Sequence, residues 1–185
     1  MIYLDHLTTT PPLTEVVDAM QPWLRGQFGA PASLHKLGLE ARDAIDAARE
    51  RLAKLVNAAE PEEIIFTSSG TEAINLAIRG SGQDGSVSVS AIEHAAVLDT
   101  AEAMRRQGRD VTILPVDGDG LVDMDAARAA IRPGVALVAA MLVNNEIGVI
   151  QPTAALARLA RDAGALLLCD AVQGYGRVPI LDGCD

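Results

Sequence analysis

Val135-Ala136-Leu137-Val138-Ala139-Ala140-Met141-Leu142-Val143 carries no polar side chain, and Asn144-Asn145-Glu146 closes it. A run of this kind has no alternation between wet and dry faces, so it predicts a strand buried on both sides. Residues 153–163 follow with apolar side chains at helical spacing. A second apolar run, Ala165-Leu166-Leu167-Leu168-Cys169, then ends on Asp170. Strand, helix and strand in this order are the signature of a parallel βαβ unit.

The same alternation extends toward the N-terminus. Residues 2–4 read as extended, and short strands are expected at 64–67, 87–89 and 111–114. Helices are expected over 13–24, with Val16, Val17, Met20, Trp23 and Leu24 on one face, and over 34–56, where Leu37, Ala41, Ile45, Ala48, Leu52 and Leu55 recur. Further helices are expected at 71–78, 94–107 and 125–131, with a loop at 80–85 and a turn at Asp117-Gly118-Asp119-Gly120. Five short strands joined by helices predict an α/β fold, a three-layer α/β/α domain with a mostly parallel sheet. No internal repeat or low-complexity tract interrupts it.

Composition agrees with this class. Hydrophobic residues make up 49% of the 185 and charged residues 22%, which excludes disorder. Aromatics supply only 3%, so the core must be built from Ala, Val, Leu and Ile, which suits a helix-covered sheet better than a sandwich. With 15 Lys+Arg against 25 Asp+Glu the formal charge is -10, and a nucleic acid would meet a repulsive field. The longest apolar run is far below the roughly 18 residues of a membrane span, and the N-terminus has no basic flank before a hydrophobic stretch. A cytoplasmic protein with no nucleic-acid or membrane partner is the expectation. Cys169 and Cys184 are expected to stay unpaired, Cys169 as a small core residue. The histidines and cysteines have no metal-ligand spacing, so no metal is expected.

In parallel sheets ligands bind at the carboxyl ends of the strands. Four polar groups fall there: Ser68-Ser69-Gly70-Thr71, Glu93-His94, Asn144-Asn145-Glu146 and Asp170-Ala171-Val172-Gln173. The first offers amides and hydroxyls at a helix start, which can hold a phosphate or simply cap the helix through Ser69 or Thr71. His94 suits either a helix cap or proton transfer near neutral pH. Asn144 and Asn145 need partners at a buried strand end, or form a turn. Asp170 is the sharpest signal, because a carboxylate ending a buried strand needs a cation or several donors. The protonated ring nitrogen of a cofactor is one such cation.

Taken together with Tyr3-Leu4-Asp5-His6-Leu7-Thr8-Thr9-Thr10-Pro11, Pro31-Ala32-Ser33-Leu34-His35, Phe66-Thr67-Ser68-Ser69-Gly70-Thr71-Glu72 and Val143-Asn144-Asn145-Glu146-Ile147-Gly148, these blocks resemble the cysteine desulfurases. Those are pyridoxal 5'-phosphate enzymes of the class V aminotransferase group. The resemblance covers the whole chain, with the blocks in the family's order. It implies the large domain of an aspartate-aminotransferase-like fold, incomplete at the C-terminus. Residues 1–12 would be an extended segment that in the family joins the small domain, and 13–185 the N-terminal part of the cofactor-binding domain.

By the same resemblance Gly70 and Thr71 bind the cofactor phosphate, Asp170 the pyridine nitrogen and Gln173 the ring hydroxyl. Asn145 lies beside the ring, near the substrate carboxylate, and His94 stacks on the ring and moves protons. The implied substrate is L-cysteine or a similar amino acid, and the product a persulphide for iron-sulphur or thio-cofactor assembly. The family's Schiff-base lysine, in a Ser-x-His-Lys segment, and its persulphide cysteine both lie beyond the position of Asp185. A complementary C-terminal polypeptide or homodimer partner, and a sulphur-acceptor protein, are therefore expected partners. Ser33-Leu34-His35-Lys36 matches the lysine motif literally, but it precedes the phosphate turn and aligns with a different block. Lys54 reads as a solvated helix residue. The alternatives are a non-catalytic binding or scaffold subunit, or part of a related enzyme such as a selenocysteine lyase.

Overall fold

The computed structural model describes residues 2–6, 9–81 and 84–179. The expected loop at 80–85 is thus described only in part, and Cys184, with the question of its pairing, lies outside the described residues. Two compact units divide the chain, Met1–Phe66 and Thr67–Asp185.

The first unit is helical. Helix α1 spans Thr14–Arg25 and leaves its apolar residues, including Val16, Met20 and Trp23, exposed. Helix α2 spans Lys36–Val56. His35 caps it, its Nδ1 accepting from the Gly38 amide at 3.3 Å. Gly38 has no alternative, since a Cβ there would stand 2.3 Å from the Ser33 carbonyl oxygen. The Pro31-to-His35 block is therefore a helix start. Lys36 is exposed and faces Glu40 at 3.8 Å.

After a 3-10 turn at Pro61–Glu63, Ile64 is extended, but residues 64–67 form no strand. This corrects the sequence expectation. A strand needs a neighbour to take its amides and carbonyls; here the Ile64 carbonyl accepts instead from Arg49 Nε at 3.2 Å, and the Arg49 guanidinium lies 5.3 Å from the Phe66 ring centre. Ile65 and Phe66 remain 64% and 48% exposed, so apolar composition alone misled.

The second unit alternates helix and strand: α3 Gly70–Gly80, β1 Ser86–Ser90, α4 Ala95–Arg106, β2 Val111–Leu114, α5 Met124–Ala130, β3 Val135–Met141, α6 Thr153–Ala163 and β4 Leu166–Asp170. Among the described residues the four strands form one parallel sheet in the order β2-β1-β3-β4. Strand β3 is central and its side chains alternate between faces. Val138 and Ala140 pack with Leu156, Ala157 and Ala160 of α6 and Ala127 of α5. Leu137 and Ala139 pack with Ile74 and Ile78 of α3 and Val97 and Ala101 of α4. The three layers and the fold class are as the sequence predicts. Each fully buried Val, Ile or Leu contributes about 1.5–3 kcal/mol.

Chain direction then fixes where a site can form. From β1 the chain crosses to β2 on one side, whereas β2 to β3 and β3 to β4 run the other way. Right-handed connections accordingly put α4 on one face and α5 and α6 on the other. The reversal opens a crevice at the carboxyl ends of β1 and β3.

Candidate functional site

Strand β1 stops pairing after the Ala91 amide bonds to the Leu114 carbonyl at 2.9 Å. Beyond that point Glu93 takes over the role of the strand. Its Oε1 accepts from the Met141 amide of β3 at 2.8 Å and from the Ser90 hydroxyl. The residue is only 6% exposed. Its Oε2 is buried with no hydrogen-bond partner among the described residues. Burial pushes the Glu93 carboxyl up to about 7; the charge of Asp170 pushes the same way, and the two hydrogen bonds oppose them. His94 follows, exposed, and caps α4 by accepting from the Ala96 amide at Nδ1, 3.0 Å away.

Past β3 the two asparagines separate in role. Buried Asn144 donates to the Ile92 carbonyl at 2.9 Å and accepts from the amides of Glu146 and Ile147, both at 2.9 Å. It locks the exit of β1 to the exit of β3, the turn role its sequence position allowed. Asn145 is half-buried and donates to Glu146 Oε1 at 3.1 Å. It shares with Ile92, Glu93, His94 and Glu146 the lining of an open cleft of about 430 Å³.

Strand β4 brings in the remaining groups. Asp170 pairs in register with Met141, and its Oδ1 accepts from the Val172 amide at 2.9 Å. It is half-buried, and this donor meets part of the need that its position predicts. In the turn that follows, Gln173 Oε1 accepts from Arg177 Nη1 at 2.8 Å. A Cβ on Gly70 would stand 3.2 Å from Val172 Cγ2, so α3 begins against this turn and glycine permits the approach.

At the start of α3 Ser69, not Thr71, is the cap, its Oγ accepting from the Glu72 amide at 3.2 Å. Glu72 in turn accepts from the Ser68 hydroxyl and amide, which hold its carboxyl below the usual range. The first-turn amides of Gly70 and Thr71 have no acceptor within the helix, which makes this end a donor site for an anion. Thr71 and His94 line a second cleft of about 360 Å³ with Asn75, Arg79, Asp99 and Thr100. Asn75 ties the two helices: its Oδ1 accepts from Thr100 Oγ1 at 2.9 Å and its Nδ2 donates to the Thr71 carbonyl at 3.0 Å.

The residues expected from sequence therefore gather at one edge of the sheet. Gly70 meets the turn that holds Asp170 and Gln173, Thr71 shares a cleft with His94, and His94 shares another with Asn145. Glu93 was placed at this strand end by the sequence, beside His94, but without a role; its burial depends on Met141, remote in the chain. No cluster of three metal-ligating side chains exists among the described residues, nor does any helix there have the length and apolarity to cross a membrane.

The family model for aminotransferase class-V matches residues 2–181. A curated cysteine desulfurase IscS from Dictyoglomus turgidum is 42% identical over 184 residues, covering 97% of this chain and 46% of that protein. A solved NifS-like protein superimposes with a TM-score of 0.89 at 33% identity, over 97% of this chain and 51% of the other. SspA, solved in complex with cysteine, superimposes with a TM-score of 0.87 at 34% identity, over 94% and 51% of the two chains. The chain thus spans about half the length of the relatives it matches.

Proposed function

Because the chain belongs to the aminotransferase class-V family, whose members depend on pyridoxal 5'-phosphate, we propose that it is the N-terminal portion of a cysteine desulfurase. It takes sulphur from L-cysteine, leaving alanine and a persulphide for iron-sulphur cluster or thio-cofactor assembly. The observation that carries this reading is the gathering of the α3 start, His94, Asn145 and Asp170 at the carboxyl ends of β1, β3 and β4.

The residues present fit the cofactor. Unspent amides at Gly70 and Thr71 suit a phosphate without a basic side chain. Asp170 suits the ring nitrogen and Gln173 the ring hydroxyl; neither lines the cleft of about 430 Å³, whose wall holds His94 and Asn145. When bound, the cofactor supplies a ring that accepts the electrons released as a bond at the amino-acid α-carbon breaks. Asp170 keeps the ring nitrogen positive. His94 has Nδ1 occupied by the Ala96 amide, so it gives or takes a proton at Nε2. Asn145 orients the substrate carboxylate. On this reading residues 13–185 belong to the cofactor-binding domain, and neither Lys36 nor Lys54 is the Schiff-base lysine.

Incubation with pyridoxal phosphate, borohydride reduction and peptide mapping test this, alongside alanine formation from L-cysteine. The expected result is a pyridoxyl group at a lysine outside residues 1–185, none on Lys36 or Lys54, and activity that H94A lowers about a hundredfold. A single pyridoxyl group on Lys36 would overturn it.

A further inference from the structure

Glu93 has no part in the reading above, yet it is the most unusual side chain in the unit. It is 6% exposed, its Oε1 is held by the Ser90 hydroxyl and the Met141 amide, and its Oε2 is buried with no partner among the described residues. Met141 is the ladder partner of Asp170. Glu93 therefore reaches from the exit of β1 onto the strand that flanks the proposed nitrogen contact. The Ser90 hydroxyl of β1 and the Met141 amide of β3 donate to it, and the charge of Asp170 on β4 acts on it. His94 is its neighbour in the chain and Glu146 lines the same cleft, which has no lysine or arginine in its wall.

A carboxylate in such a place would be a second anion beside Asp170, desolvated and without a counter-ion, and that arrangement favours the protonated form. We propose that Glu93 is a positioning residue for Asp170: a proton-carrying carboxylic acid that pins the exits of β1 and β3 together and leaves Asp170 as the anion presented to the ring nitrogen. The proposal rests on the cofactor reading given above. The elevation of the carboxyl to about 7 agrees with it.

A consequence distinguishes this role from simple bracing. A ring cation bound at Asp170 offsets that charge and eases the ionisation of Glu93. Binding then releases a proton from Glu93, and affinity gains from this source as pH rises through 7.

The probe is 4'-deoxypyridoxine 5'-phosphate, which keeps the ring nitrogen and phosphate but has no aldehyde, so its binding needs no lysine. Its affinity for the full chain and for E93Q, E93A and D170N is measured by fluorescence from pH 6 to 8, with circular dichroism as the check on folding. E93A should weaken binding about tenfold, the loss expected when a buried hydrogen-bonded group is removed. E93Q, the isostere of the protonated acid, should keep the wild-type affinity at pH 6 and lack the inflection near 7.

An E93A chain that binds like wild type while D170N does not, or an E93Q profile with the same inflection, overturns the proposal alone. A D170N chain that binds like wild type, or a wild-type chain that does not bind, overturns the cofactor reading and this proposal with it. If E93A does not fold, the E93Q profile decides.

Discussion

Protonation of Glu93 is tied to folding. Its carboxyl has an ordinary value of 4.5 in the unfolded chain and about 7 in the folded one. The favourable contribution is complete below 4.5 and is lost as pH rises to about 7, a change of about 3 kcal/mol. Glu72 runs the opposite way, since its bonds to Ser68 lower it and are weakened as pH falls. E93Q should accordingly match the wild type in urea unfolding at pH 5 and exceed it at pH 8; a variant weaker at both would contradict the assignment. The adjacent asparagines make a paired prediction. N144A strips several buried hydrogen bonds and should cost about 1–3 kcal/mol, whereas N145A should leave the unfolding midpoint in place and weaken ligand binding.

The starts of α3 and α4 combine capping with the roles proposed for Thr71 and His94. Ser69 and His94 each accept a first-turn amide, so each position has a stability role that a loss of activity would otherwise conceal. S69A should cost about 1 kcal/mol. H94A should cost a similar amount, and H94N should restore the cap without restoring proton transfer. Thermal melts beside single-turnover rates separate the two: recovery of both in H94N would make His94 a cap alone. Between these helices Asn75 joins Thr71 to Thr100, which sets the start of α3 relative to the helix that His94 caps.

Stability is distributed unevenly over the molecule. In the unit Thr67–Asp185, β3 lies between two packed layers and Leu156 is fully buried. L156A should cost about 2–5 kcal/mol. In the unit Met1–Phe66, α1 has no buried residue. Its amides should exchange with deuterium well before those of β3 in hydrogen-exchange mass spectrometry. Equal protection of the two would mean that the exposed apolar face of α1 is covered in solution.

Runs that bury themselves were readable as amino acids. Residues 135–143 have no polar side chain and form the buried strand β3, and the alternation of helical and strand patterns from 71 to 170 made the layers and the parallel sheet legible; β4 is drier on paper than in place, with Leu166 50% exposed. The polar groups after β1, β3 and β4 were also readable, because a parallel sheet puts them on one edge, whereas Ser68 to Thr71 follows no strand. Residues 64–67 were not, since a strand exists only through its neighbours and Arg49 took the Ile64 carbonyl. Nor was the division of labour between Asn144 and Asn145, identical side chains separated by one position on a turn. Glu93 is the clearest case: its partners Met141 and Asp170 are remote in sequence, and only packing brings them together. Local pattern fixes which faces must be dry, whereas the partners of a buried charge depend on how distant strands align.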